Sequence, residues 1–268
     1  VSAAPIGVLG GSGFYEFLSD AVAHDVDTPW GKPSAPVMVG DLDGQPVAFL
    51  ARHGLDHENM AHRVNFRANL WALRAVGVER LISPCAAGSL RADLHPGEFV
   101  VLDQLVDRTW GRGDTFNEGP EVHHIGFADP YCPQLGAALG DAARAEGVTV
   151  HDRGTVVVIN GPRFSTRAES RWFRSQGWDV VNMTQYPEAA LARELGLCFG
   201  GLALVTDYDA GVHDDDQAVD IDTVMAVLRQ NVDTLRGVLR RAIGALAGDT
   251  AARSCACGQG LGAHLAGP

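Results

Sequence analysis

In the stretch LVTDYDAG, residues 204–211, two carboxylates stand directly behind the apolar run FGGLALV, so Asp207 and Asp209 sit where a buried strand ends. Two close carboxylates in an apolar setting do not both ionise cheaply, and raising the pKa of one supplies a proton donor. The same pair also suits a turn or a helix cap. Near the N-terminus, GVLGGSGF sets Gly10, Gly11 and Gly13 around Ser12, so backbone amides and one hydroxyl can converge on an anion. A plain tight strand exit is the other reading. The turn is not a G-x-G-x-x-G fingerprint, because Glu16 occupies the last position counted from Gly11, and it lacks the G-K-[ST] of a P-loop.

Three more loops follow apolar runs. FLARHGLDH ends with Arg52 and His53, and the planar guanidinium fork suits an oxyanion, although a solvated strand end fits as well. SPCAAGSL carries Ala86, Ala87 and Gly88, small enough for a flat ligand to approach the backbone. VVNMTQYPEAAL places Asn182, Met183 and Thr184 just before a helix N-terminus, with its free amides and positive dipole end. Ligands of open α/β sheets bind outside the carboxyl ends of strands, so these loops can share one anion site.

The elements that must hold these residues are legible from periodicity. PIGVLG, PVAFLA, RLISP, EFVVLDQLV, TVVVIN, DVVNMT and FGGLALVTDY have the length and β-branched content of buried strands. FRANLWALRAVG, CPQLGAALGDAARAEG and YPEAALARELG end in Gly and read as helices between them. The longest helix is expected over 220–246, where apolar residues recur at three- and four-residue steps. The alternation predicts an α/β fold in one domain, residues 1–248, followed by a Gly/Ala-rich tail, 249–268, expected to be partly mobile with a terminal piece able to dock.

Composition narrows the function. Thirty-three acidic against 21 basic residues give a net charge of −12, which repels a phosphate backbone and argues against a general nucleic-acid role. No apolar run is long enough to span a membrane, and VSAAPIGVLGGSG reads as a first strand rather than a signal peptide, so a cytoplasmic protein is expected. The five cysteines show no zinc-type pairing; Cys85, Cys132 and Cys198 fall in apparent core segments as small hydrophobes. Cys255 and Cys257, in CAC, are incidental tail thiols or a redox or stabilising disulfide.

Taken in order and spacing, GVLGGSGF, LARHG, AAGSL, GPRFSTRAES, NMT followed by PEAALARELG, and TDYD resemble the 5′-methylthioadenosine phosphorylases, in the trimeric branch of the purine nucleoside phosphorylase family. The resemblance runs from about residue 6 to residue 246. It implies a central mixed β-sheet flanked by helices and phosphorolysis of a purine nucleoside, with inorganic phosphate as co-substrate and no metal or cofactor. It places Ser12, Arg52, His53, Cys85, Ala86 and Thr184 around the phosphate. Met183 would lie under the ribose and Phe164 over the purine, with Ala87, Gly88 and Asn182 lining the substrate. Asp207 would face purine N7 and Asp209 the 6-amino group, with the two roles exchangeable; relatives that prefer 6-oxopurines carry Asn in this region, so TDYD points to adenine.

Ser165 would contribute to specificity, and at the sugar 5′ end specificity would fall to Ile221 and Val224, and to His124 reaching in from an adjacent subunit of a homotrimer. One departure stands out: relatives carry Thr where this chain has Cys85, and a thiol donates more weakly than a hydroxyl. The tripeptide Arg112–Asp114 in GRGDTF is a chance match to an adhesion motif. The expected activity is conversion of 5′-methylthioadenosine and phosphate to adenine and 5-methylthioribose 1-phosphate. A phosphorylase for adenosine or inosine and a non-catalytic nucleoside-binding protein are the alternatives.

Overall fold

The computed structural model describes residues 4–11, 18–213, 218–248 and 253–259. The strands are β1 (Ile6–Gly10), β2 (Ser19–His24), β3 (Val37–Leu42), β4 (Gln45–Ala51), β5 (Arg80–Ser89) and β6 (Phe99–Leu102). They continue as β7 (Gln104–Arg108), β8 (Val150–His151), β9 (Thr155–Ile159), β10 (Val180–Asn182) and β11 (Cys198–Tyr208). The helices are α1 (Phe66–Ala75), α2 (Pro133–Ala145), α3 (Arg167–Ser175), α4 (Gln185–Glu194) and α5 (Ile221–Gly248).

The sheet is mixed and it forks at β5. The first half of β5 pairs in parallel with β1, its last residues pair antiparallel with β10, and its whole length pairs in parallel with β11. One arm runs β2-β3-β4-β1-β5-β10-β9-β7, and the other continues from β11 to β6 and β8. The expected strand EFVVLDQLV is split between the arms: β6 joins β11, β7 joins β9, and Asp103 between them donates its amide to Gly154.

Alternation along the strands supplies two cores, because successive side chains leave a strand on opposite faces. Leu9, Leu50, Ala203 and Val205 pack with α1 and α4; Val8, Phe49, Leu202 and Leu204 pack with α2 and the second half of α5. A third small cluster seats Phe173 of α3 on Val157 and Val181. Helix α3 was not among the expected elements although its start is encoded: Thr166 accepts from the Glu169 amide and Glu169 reaches back to the Thr166 amide, a full capping box. Beyond α5, the chain at Ala256–Gln259 forms a 3-10 turn with Cys257 in the second core.

Candidate active site

The carboxyl ends of β1, β4, β5, β10 and β11 open into one cavity of about 360 Å³. Gly11, Arg52 and His53 line it from the first two of these strands, and Cys85, Ala86, Ala87 and Gly88 from β5. Asn182, Met183 and Thr184 close one side, Phe164 and Ser165 stand before α3, and Asp207 and Asp209 lie at the end of β11. Ile221 and Val224 face it from the first turn of α5. The sequence-derived residues thus converge, with two exceptions. Ser12 falls outside the described residues, and His124 sits on an exposed loop outside this chain's own cavity.

Arg52 is only 2% exposed, and most of its fork is engaged inside the protein. Nε donates to Glu188 Oε1 at 2.5 Å, and Nη2 donates to Leu9 O at 2.7 Å, Ser83 Oγ at 2.8 Å and Glu188 Oε2 at 3.2 Å. Nη1 donates to Pro84 O at 3.2 Å. The network continues from Ser83 Oγ to Glu188 Oε2, and from Gln185, whose side-chain amide donates to Ser83 Oγ and accepts from Tyr131 Oη. A fully partnered polar cluster of this kind fixes the ends of β1, β4 and β5 against α4, next to the cavity-lining loops. Ser83, Gln185 and Glu188 escaped the sequence reading; their signal was charge and amide groups inside otherwise apolar segments.

His53 Nδ1 lies 2.8 Å from Asn59 O, and because a carbonyl only accepts, Nδ1 carries the proton and Nε2 is the acceptor. Burial, with the Arg52 charge beside it, holds His53 down to about 4, so the ring is neutral at pH 7. Thr184 sits at the start of α4 without capping an amide there, and α4 is broken at Tyr186, whose backbone is extended (φ −115°, ψ 132°). Cys85 is buried, and burial pushes its thiol up to about 11, so it is a neutral, weak donor.

The two carboxylates owe their placement to a β-bulge. Val205 pairs with Ala87 and Asp207 with Gly88, which leaves Thr206 as the extra residue and turns the strand end toward the cavity. Thr206 Oγ1 donates to Asp207 Oδ1 at 2.7 Å. A Cβ on Gly88 would lie 3.0 Å from Asp207 Oδ2, so the missing side chain leaves room for that carboxylate. Burial raises both acids; Asp207 is opposed by the Thr206 hydrogen bond, and Asp209, only 2% exposed, rises to about 6. Ser170 and Ser165 pull Asp209 back only partly, since neither makes a hydrogen bond of good geometry: Asp209 Oδ2 and both hydroxyls are buried without partners. The Asn182 amide is also buried with both polar atoms unpaired. Ser165, Asn182 and Asp209 line the cavity, and orphaned polar groups there are what a polar ligand satisfies.

Another part of the lining is apolar. Met225 and Leu228 extend the Ile221 and Val224 stripe one turn along α5, and Met60 and Ala61 face it from the loop after β4. These were missed, although the four- and seven-residue steps from Ile221 were present in the sequence. Gly161, at φ +69°, lies under Met183: a Cβ there would stand 2.6 Å from the sulfur. Arg112, dismissed as part of a chance tripeptide, donates to Asn160 and to the Tyr186 carbonyl and lies over the Phe66 ring, so it braces the loops on either side of Met183.

Comparison with known proteins adds an independent measure of likeness. The family model described as the Phosphorylase superfamily matches residues 5–244. A purine nucleoside phosphorylase of Streptomyces coelicolor is 51% identical over 267 residues, 97% of this chain and 95% of that one. An S-methyl-5′-thioadenosine phosphorylase of Mycolicibacterium smegmatis is 61% identical over 208 residues, 77% and 78% of the two chains. Among solved structures, a methylthioadenosine phosphorylase from Schistosoma mansoni in complex with adenine superposes with a TM-score of 0.88 at 37% identity, covering 92% of this chain and 93% of its own.

Proposed function

The chain belongs to the Phosphorylase superfamily, and from that premise we infer that it catalyses phosphorolysis of 5′-methylthioadenosine to adenine and 5-methylthioribose 1-phosphate. The observation that carries the reading is one cavity lined both by a carboxylate pair, Asp209 buried and Asp207 half-buried, and by an apolar stripe. The pair suits a purine edge that needs a proton and an acceptor. The stripe suits a methylthio group, which a 5′-hydroxyl would match poorly.

In the reaction, a phosphate oxygen forms a bond to C1′ as the C1′–N9 bond breaks, and adenine leaves with the bonding electrons and takes a proton at N7. Phosphate bound beside the sugar stabilises the positive charge that develops there. We place phosphate among Gly11, Ser12, His53, Ala86 and Thr184, with Arg52 chiefly positioning these loops through Glu188. The His53 tautomer offers Nε2 to the P–OH of hydrogen phosphate. Met183 supports the ribose, Phe164 covers the purine, and Asp207, the more open of the two acids, meets N7 while Asp209 accepts from the 6-amino group. The chemistry needs no cofactor beyond phosphate as co-substrate.

Ile221 is 57% exposed and Met60 59% exposed at the mouth of the cavity, which supports closure by a neighbouring subunit of a homotrimer, with that subunit's His124 as the closing group. Net charge −12 fits a partner set of small molecules in the cytoplasm rather than nucleic acid. Among the described residues no helix is long and apolar enough to cross a membrane.

Adenine release from methylthioadenosine, measured with and without phosphate alongside adenosine and inosine, tests this reading. Phosphate-dependent release with preference for the methylthio substrate is expected. Phosphate-independent release would mean a hydrolase, and tight binding without release a binding protein.

A further inference from the structure

The tail cysteines do not stand apart from the core thiols. Cys132, Cys198, Cys255 and Cys257 bring their four sulfurs within 4.8 Å of one another, and all four are free thiols. Three are buried and Cys255 is half-buried. We propose that these four cysteines form a structural site for a single thiophilic divalent cation, zinc in the first place, that fastens the C-terminal segment to the body of the fold.

The geometry favours one ion over other uses of four thiols. A tetrahedral zinc with bonds of about 2.3 Å to sulfur has sulfur–sulfur edges of about 3.8 Å, so the longest separation here need shrink by only about 1 Å. Cys198 Sγ and Cys255 Sγ are already 3.4 Å apart, near such an edge and far from the roughly 2.05 Å of a disulfide. All four sulfurs belong to the group, so a single disulfide would leave two spectators, and a pair of disulfides is the competing use that the thiol state of the isolated chain decides. A cluster of several irons with bridging sulfide needs a wider cage than this one. An all-sulfur tetrahedral set is the ordinary preference of zinc.

The surroundings suit thiolates. Cys132 occupies the N-cap of α2, where the exposed amides of the first turn favour negative charge. Arg253 donates to the Gly196 carbonyl at 3.0 Å and interacts with Cys198 and Cys255, offsetting charge on an ion held by four thiolates. Further contacts seat the segment: Gln134 donates to Ser254 Oγ at 3.0 Å, and Gly258 packs on Gly196. Four protein ligands leave no open coordination position, which is the mark of a structural rather than catalytic site. Cys198 begins β11 and Asp207 stands near its end, so about 30 Å of extended chain separates the ion from the carboxylates.

The test uses the full chain purified without oxygen. Elemental analysis is expected to find about one zinc per chain, and titration with a mercurial to release it as four thiols react. Reconstitution with cobalt should give the intense visible and near-ultraviolet bands of tetrahedral cobalt thiolate. The variant Cys255→Ser/Cys257→Ser should lose the metal and melt at a temperature lower by roughly 5 °C or more, with the rate per folded chain unchanged. A reduced wild-type chain that takes up neither zinc nor cobalt overturns the proposal, whether or not the variant folds. So does a freshly isolated anaerobic chain whose four cysteines are paired in disulfides. Both results are independent of the catalytic reading.

Discussion

Arg52 and Glu188 form a buried bidentate ion pair, Nε to Oε1 at 2.5 Å and Nη2 to Oε2 at 3.2 Å, although 136 residues separate them in the chain. The Arg52 fork that the sequence offers to phosphate is thus largely committed to a carboxylate behind the cavity-lining loops. Removing one partner leaves a buried charge unpaired, which typically costs about 3–5 kcal/mol. Arg52→Ala should therefore lower the denaturation midpoint sharply, and its activity should fall for methylthioadenosine and phosphate alike. Wild-type stability with only a raised KM for phosphate would show that the fork faces the anion instead.

Asp209 connects activity to stability. A carboxyl raised to about 6 from 3.8 makes the fold less stable wherever it is ionised, that is above about pH 6, and the penalty vanishes below about pH 4. The shift corresponds to about 3 kcal/mol at full ionisation. Asp209→Asn should melt higher than the wild type at pH 8, the gap should close as pH falls through 6 toward 4, and turnover should be largely lost. Equal melting temperatures at pH 8 would contradict the buried ionised state.

Asp207→Asn removes the transferable proton while keeping an amide at the purine edge. Turnover on methylthioadenosine should fall by roughly 10²–10⁴, with nucleoside binding weakened less. The amide can donate to a 6-oxo group, so the inosine analogue should lose less. Near-normal adenine release would place the acid elsewhere.

The apolar wall is better tested at Val224 than at Ile221, since Val224 is 7% exposed and Ile221 57%. Val224→Asp should penalise methylthioadenosine more than adenosine, because a charge beside a methylthio group is desolvated without compensation while a hydroxyl partly satisfies it. The ratio of kcat/KM for the two substrates is the readout. An unchanged ratio means that residue does not face the 5′ group.

Gly161 combines a positive φ with close approach to Met183. Gly161→Ala should cost about 1 kcal/mol from backbone strain and push Met183 into the ribose position. A raised KM for nucleoside with little change for phosphate is expected from steady-state kinetics; the reverse pattern would assign Met183 to the anion side.

Much of this molecule was determined by short-range pattern. Apolar runs ending in Arg52–His53, Asn182–Thr184 and Asp207–Asp209 mark strand ends, and parallel strand ends of an α/β sheet share one edge, so the candidate site is legible in the sequence. The forked sheet was not. EFVVLDQLV reads as one strand because periodicity cannot show that its halves find different partners in β11 and β9. Direction was also beyond the sequence: an Arg after a strand suits an anion, and only packing sets Glu188 against it. The four cysteines make the point most plainly. Spread over positions 132, 198, 255 and 257, they have no local spacing that signals a ligand set, and Cys132 and Cys198 pass for core hydrophobes. Local propensity and amphipathic period are encoded between near neighbours and so could be read from the chain alone. Which distant side chains meet depends on how sheet, helices and tail close on one another, and the tertiary structure alone decided that.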